Sequence, residues 1–198
     1  MEHFNIWLYQ WIGLSPDTSM VQVWAIRIIA ESPLWMIPFG LVVGWLVGGE
    51  NRRLALVHAT LAAFVALALA QVMNRVWPHP RPFALGLSPM WTTHVNDGSF
   101  PSDHLTLLCS IAFGLWWHPV TRRWGQALAA WGIPVAWSRV ALGLHFPLDI
   151  LGASVASALV AAGLGCYLGT QLAFVTKVAI SLYQILARPL IRQQWLRP

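Results

Sequence analysis

Ser138-Arg139-Val140-Ala141-Leu142-Gly143-Leu144-His145-Phe146-Pro147-Leu148-Asp149 places an arginine, a histidine and an aspartate at the junction of two long apolar segments, 126–142 and 147–172. An unpaired charge in hydrocarbon is expensive, so ionisable residues beside such segments are candidates for a functional site. Proline is tolerated in the first turn of a helix. With Pro147 there, His145 and Asp149 stand four residues apart and share one face. The carboxylate would then hold the imidazole in one tautomer and leave its other nitrogen free to attack, the logic of covalent catalysis. Arg139 adds a planar fork of donors suited to phosphate.

The apolar character extends along the whole chain. Of 198 residues, 57% are hydrophobic and 10% charged, and the mean hydropathy is +0.59. That is too apolar for an ordinary soluble domain. Thirteen tryptophans fit a membrane protein, because tryptophan favours the interface. The expectation is one integral-membrane domain over residues 1–198. The net charge of +5 would admit a nucleic-acid partner. The basic residues fall in short loops with no long basic run, which argues against one. Cys109 and Cys166 both fall inside expected spans, so no disulfide is expected. Residues 1–15 lack a basic leader and a small-residue cleavage site, so no signal peptide is expected.

Taken in order, the sequence predicts an all-α, polytopic transmembrane bundle of five to six spans. Residues 3–14 read as an interfacial helix or the lead-in to a span. Span one, 20–47, carries Arg27 and Glu31 four apart and should kink at Pro33 and Pro38. Span two covers 54–73, and a polar connection rich in proline and glycine fills 74–101. Span three, 102–117, is short for a full crossing. Spans four and five are the two segments flanking the opening motif. Residues 174–188 read as an interfacial helix or a sixth, partly polar span. In a five-span arrangement Arg52, Arg53, Arg122, Arg123, Arg188, Arg192 and Arg197 share one side, which should be cytoplasmic. Asp97, Asp103, Asp149, Arg81, Arg139, His104 and His145 share the other.

Three clusters meet on that second side. Asn74-Arg75-Val76-Trp77-Pro78-His79-Pro80-Arg81-Pro82 ends span two, and its prolines hold Arg81 extended just outside the membrane. Pro101-Ser102-Asp103-His104 opens span three, with Ser102 a natural N-cap. A helix N-terminus there offers free backbone N–H groups to a phosphate, and His104 could protonate a leaving oxygen. The third cluster is the opening motif. Each alone has an ordinary reading as a juxtamembrane arginine, a capped helix or a loop histidine. Together they supply two arginines, a helix end, two histidines and a carboxylate, an inventory suited to phosphoryl transfer. No spacing of Cys, His and carboxylates suggests a structural zinc site, and no glycine-rich phosphate loop is present.

These clusters resemble the three signature motifs of the type 2 phosphatidic acid phosphatase superfamily, which also includes the vanadium haloperoxidases. The motifs are Lys-x6-Arg-Pro, Pro-Ser-Gly-His and Ser-Arg-x5-His-x3-Asp, and the third matches at every fixed position. Pro80-Arg81-Pro82-Phe83, Pro101-Ser102-Asp103-His104 and the short chain look most like the bacterial undecaprenyl pyrophosphate phosphatase branch. The resemblance implies a catalytic core over spans two to five, about 54–172. It implies His145 as nucleophile, Asp149 as its orienter and His104 as general acid, with Arg81, Ser102 and Arg139 binding the phosphoryl group. It implies no metal or other cofactor. The substrate would be a polyprenyl pyrophosphate lipid in the bacterial inner membrane, cleaved at the periplasmic face to supply envelope polysaccharide assembly. The oligomeric state is left open.

Two positions depart from the pattern. Asn74 stands where the family has lysine, with Arg75 next to it, and both are kept as phosphate-ligand candidates. Asp103 replaces glycine and should point away from phosphate or pair with Arg75 or Arg81. Arg27 and Glu31 read first as an i,i+4 ion pair, and alternatively Glu31 steers an active-site arginine or positions water. His58, His79, His94 and His118 carry no motif and read as structural or interfacial. Two alternatives remain: a broader phosphatase of phosphatidic acid or phosphatidylglycerol phosphate, and a lipid-binding or transport protein with a vestigial phosphate site.

Overall fold

The computed structural model describes residues 2–92, 97–193 and 195–197, so His94 lies outside the described residues. Regular structure within them is entirely helical. Helix α1 is Glu2–Ile12, α2 Met20–Glu31, α3 Pro33–Val47, α4 Glu50–Val76, α5 Asp103–Trp117, α6 Arg122–Ala141, α7 Pro147–Tyr167, α8 Gly169–Leu186 and α9 Arg188–Arg192, with one 3-10 turn at Phe83–Leu85.

Among the described residues, three stretches are long and apolar enough to cross a membrane: Met20–Val47, Glu50–Val76 and Pro147–Tyr167. The first divides at Ser32 into α2 and α3, because Pro33 has no N–H to continue the ladder. Pro38, also expected to kink the span, lies inside α3 without ending it. Helix α1, at 11 residues, reaches only about 16 Å and is too short to cross. The expected fifth span ends at Tyr167 rather than 172, and α8 begins two residues later, absorbing 174–186. Leu172 and Thr176 of α8 are its buried residues.

Helix α5 sits at the centre, packed by α4, α6 and α7. Close approach is made possible by a row of small residues on α4: Ala55, Ala59, Ala62, Ala63, Ala66 and Ala70 are all buried. Without water to drive apolar burial, such small faces let helices gain contact by approaching closely. Polar groups inside are paired across helices. Ser110 Oγ donates to Ser157 Oγ at 3.0 Å, and Ser157 Oγ donates to the Thr106 carbonyl at 3.1 Å.

Because α4, α5, α6 and α7 follow one another back and forth, the C-terminus of α4, the N-terminus of α5, the C-terminus of α6 and the N-terminus of α7 gather at one end. That gathering brings the three motif clusters together. At the opposite end Arg53 is buried, its Nη2 donating to the Arg197 carbonyl at 3.0 Å, with its guanidinium 4.6 Å from the Tyr183 ring centroid. Arg52 lies 4.7 Å from the Trp124 ring centroid. Basic residues from distant parts of the chain therefore collect at the end away from the motifs.

Candidate active site

Arg139 lies in the last turn of α6 and His145 in the short link to α7. The link can turn so tightly because Gly143 takes a left-handed φ of +71°, which a residue with a Cβ adopts only at a cost. The Gly143 carbonyl also accepts the Phe83 N–H at 3.2 Å, anchoring the segment that carries Arg81. Asp149, in the first turn of α7, accepts the backbone N–H of Phe146 at 2.8 Å. That bond fixes the entry to α7 directly behind His145.

His145 is buried, and both ring nitrogens have neighbours. Nδ1 is 2.8 Å from the Ser99 carbonyl oxygen, which can only accept, so Nδ1 carries the proton and Nε2 the lone pair. The Asp149 carboxylate is 3.7 Å from Nδ1, near enough for electrostatic support and too far for a hydrogen bond. The structure therefore places a main-chain carbonyl nearest the nitrogen for which sequence reasoning offered Asp149. Ser99 is itself held: its N–H donates to the His79 carbonyl at 2.7 Å, and its Oγ lies 2.9 Å from His79 Nδ1. His79 also packs edge-on against Phe146, with ring centroids 5.5 Å apart.

Arg81 is buried at the other nitrogen. Its Nη1 is 3.2 Å from His145 Nε2 and donates to the Leu144 carbonyl at 2.8 Å. Its other edge holds Asp97, with Nη2 at 2.8 Å and Nε at 3.1 Å from Oδ1. Asp97 was placed on this side by sequence, but its pairing was not anticipated. Asn74 donates through Nδ2 to the Gly98 carbonyl at 3.2 Å, so it pins the Asp97–Ser99 segment. Arg75 is exposed on the last turn of α4 and is not brought into the buried cluster. Asp103 pairs with neither arginine: its Oδ2 accepts from Gln71 Nε2 at 3.0 Å. Arg27 and Glu31 form the i,i+4 pair at 2.7 Å. Glu31 and Asp103 lie within electrostatic range of Arg139, as does Arg81.

Against these satisfied groups stand three that are not. Arg139 is 2% exposed, and its Nε and Nη2 have no hydrogen-bond partner among the described residues. Ser102 is fully buried in the N-cap position of α5, but its side chain makes no cap bond and its Oγ is equally unpartnered. Thr106 Oγ1, one turn further into α5, is the third. A buried polar group without a partner is costly, and a guanidinium edge most of all. Such groups mark where an oxygen-rich ligand belongs. His104, half-buried in the first turn of α5, stands beside Ser102 in the chain.

Burial holds the His145 imidazole down from 6.5 to about 4; Asp149 opposes the shift, and the charges of Arg139 and Arg81 reinforce it. The nitrogen is then neutral and nucleophilic at ordinary pH. Two results follow. The acid limb of kcat/KM belonging to this group should lie near pH 4, and a midpoint at 6.5 in the pH–rate profile would contradict the assignment. For stability, the unfolded imidazole binds its proton near 6.5 and the folded one only near about 4. Between those values the unfolded state binds more protons, so stability falls as pH falls through that window. His145→Asn should flatten that part of the curve in thermal unfolding.

Comparison with known proteins agrees with this geometry. The profile of the PAP2 superfamily matches residues 54–174. The chain is 35% identical over 158 residues to an Escherichia coli (strain K12) protein named "Putative undecaprenyl-diphosphatase YbjG", covering 79% of this chain and 78% of that one. It is 28% identical over 144 residues to the Bacillus subtilis (strain 168) protein named undecaprenyl-diphosphatase BcrC, covering 73% and 70%. Its fold resembles the crystal structure of Aquifex aeolicus LpxE, with a TM-score of 0.61 at 19% identity over 80% of this chain and 93% of that one. With its three motif clusters gathered at one end of a helical bundle, the chain belongs to the PAP2 superfamily.

Proposed function

We propose that the protein is a membrane-embedded undecaprenyl-diphosphate phosphatase working through a phosphohistidine. The observation that carries this reading is the buried, unpartnered edge of Arg139 with Ser102 Oγ, in the same buried cluster as an imidazole whose lone pair is fixed on Nε2. Relatives named undecaprenyl-diphosphatase support the substrate class.

In this mechanism the terminal phosphoryl group enters with its oxygens on Arg139 and Ser102. One oxygen also accepts the hydrogen bond from Arg81 Nη1 that now faces His145, freeing the Nε2 lone pair. Nε2 attacks the terminal phosphorus, and the bond from phosphorus to the bridging oxygen breaks. His104 gives its proton to the departing polyprenyl phosphate. Water then attacks the phosphorus while His104 takes a proton from it, the phosphorus–nitrogen bond breaks with its electron pair returning to Nε2, and inorganic phosphate leaves. Asp149 stabilises the positive ring without itself being protonated. The chain's own groups supply each step, so the reaction runs without a metal or other cofactor.

We further propose five crossings, with α5 and α6 completing the back-and-forth bundle, α5 enclosed by α4, α6 and α7, and α6 packed on α5 and α2. The whole chain then forms one domain. The basic end faces the cytoplasm by the positive-inside rule, which puts the site at the periplasmic face of the inner membrane. The lipid remains in the bilayer while its head reaches the cradle. Phosphate release by the purified protein in detergent with EDTA tests the reading. Undecaprenyl diphosphate should be cleaved at least about tenfold more efficiently than phosphatidic acid or phosphatidylglycerol phosphate. Equal rates would favour the broader lipid phosphatase, and no release from any lipid phosphate would overturn the enzymatic reading.

A further inference from the structure

One apolar feature beside the site is not used by the phosphate chemistry. Helices α4 and α7 run antiparallel and are tied near the basic end, where His58 Nε2 lies 2.9 Å from the Ala161 carbonyl. Towards the catalytic end a groove of about 450 Å3 opens between them, lined by Leu69 and Met73 of α4, by Gly152, Val155 and Leu159 of α7, and by Phe100. Val155 is 50% and Leu159 69% exposed, so the groove opens sideways from the bundle.

Phe100 is a wall shared by the groove and the site. Ser99, before it, supplies the carbonyl that fixes His145; Ser102, two residues after it, belongs to the cradle. The ring can lie directly on α7 because residue 152 is glycine, and a Cβ there would run into it. On its other flank the site is covered. Asn5 of α1 accepts the Leu148 N–H, Tyr9 packs edge-on to Phe146, and Leu14 N–H donates to the Ala141 carbonyl. The α4–α7 side carries the apolar groove, separated from Ser99 and Ser102 only by Phe100 along the chain.

We propose that this groove seats the polyprenyl tail of the substrate, with Phe100 against its first isoprene units and Val155 and Leu159 along those that follow. The assignment rests on the reading of the site as a polyprenyl-diphosphate phosphatase. The occupant is fixed by continuity and chemistry together. The groove adjoins the site through Phe100, which lies between Ser99 and Ser102 in the chain, it carries no charged side chain among its eight lining residues, and it opens where an embedded lipid already has its tail. Phe100 then links tail binding to the carbonyl that sets the His145 tautomer, so a filled groove also braces the nucleophile.

The test uses the full chain purified in detergent and two substrates, undecaprenyl diphosphate and isopentenyl diphosphate, whose five-carbon tail is too short to fill the groove. Leu159→Trp and Val155→Trp block the groove without touching the cradle. Ile133→Trp, on the 72%-exposed face of α6, is the control. The groove variants should lose about tenfold or more in kcat/KM on the long substrate, mainly through KM, and less than about twofold on the short one. Ile133→Trp should change neither. Unchanged kinetics on the long substrate, or equal losses on both in protein that elutes as wild type, would overturn the groove while leaving the phosphatase reading intact. If wild type cleaves neither substrate, the phosphatase reading falls and the groove assignment with it.

Discussion

His145→Ala should lower kcat on the order of 10^4-fold or more. The expected size follows from the loss of a covalent route. Nε2 is the lone pair aimed at the Arg81 side of the cradle, because the Nδ1 proton is committed to the Ser99 carbonyl at 2.8 Å. Ser102 Oγ is no substitute, being a hydroxyl without a neighbouring base in hydrogen-bond reach. What survives is direct attack by water on a phosphoryl group still held by the arginines. His145→Ala also leaves the buried Ser99 carbonyl without its donor, so His145→Asn is the better-folded companion, since its amide can still donate. Both variants should elute as folded protein and bind substrate with little change in KM. Retention of a tenth of wild-type kcat by either would remove His145 from the chemistry.

Arg139 gives the second large effect, with an unusual signature. Arg139→Met should cost about 10^2- to 10^3-fold in kcat/KM, the range for removing a preorganised donor from developing charge. The same change should raise the thermal midpoint of the ligand-free protein by about 2–4 °C per kcal/mol regained. The reason is the resting state: a buried guanidinium with two unpartnered nitrogens is desolvated with only the longer-range charges of Glu31 and Asp103 to offset it, and methionine fills the space without that cost. Arg139→Lys should recover little activity, because a single ammonium cannot present the two-pronged edge. Steady-state kinetics and a thermal melt on the same samples check both halves. A variant that is less active and also less stable would mean that Arg139 is structural rather than held ready for phosphate.

The candidate site residues stand out in sequence because they are rare polar positions at the ends of apolar stretches. His104, His145, Asp149, Arg81, Ser102 and Arg139 all stand beside such ends, and back-and-forth packing brings those ends together. The groups that orient them were not legible. The Ser99 contribution is a main-chain carbonyl, which every residue possesses, and only the fold aims it at Nδ1. Asp97 and Arg81 stand 16 residues apart in the sequence, a separation that announces no pair. Asn74 stands at the position of a phosphate-binding lysine, while its amide is spent on Gly98. The division of 20–47 at Ser32 and the restart at Gly169 were missed for another reason. Each break holds only two polar residues, Glu31-Ser32 and Thr170-Gln171, between long apolar runs, so hydropathy averaged over a span barely registers it, and in the first a proline expected to kink the helix ends it.

The central claim is that phosphate passes through His145, and trapping the intermediate tests it most directly. Undecaprenyl diphosphate labelled in its terminal phosphate is mixed with excess enzyme, quenched within milliseconds in alkali, where a phosphorus–nitrogen bond survives, and the digested protein is mapped. The predicted result is transient label on the peptide containing His145, lost on acid treatment and absent from His145→Asn. Release of labelled phosphate with no protein-bound label at any time point, or label on a peptide other than that of His145, would contradict it.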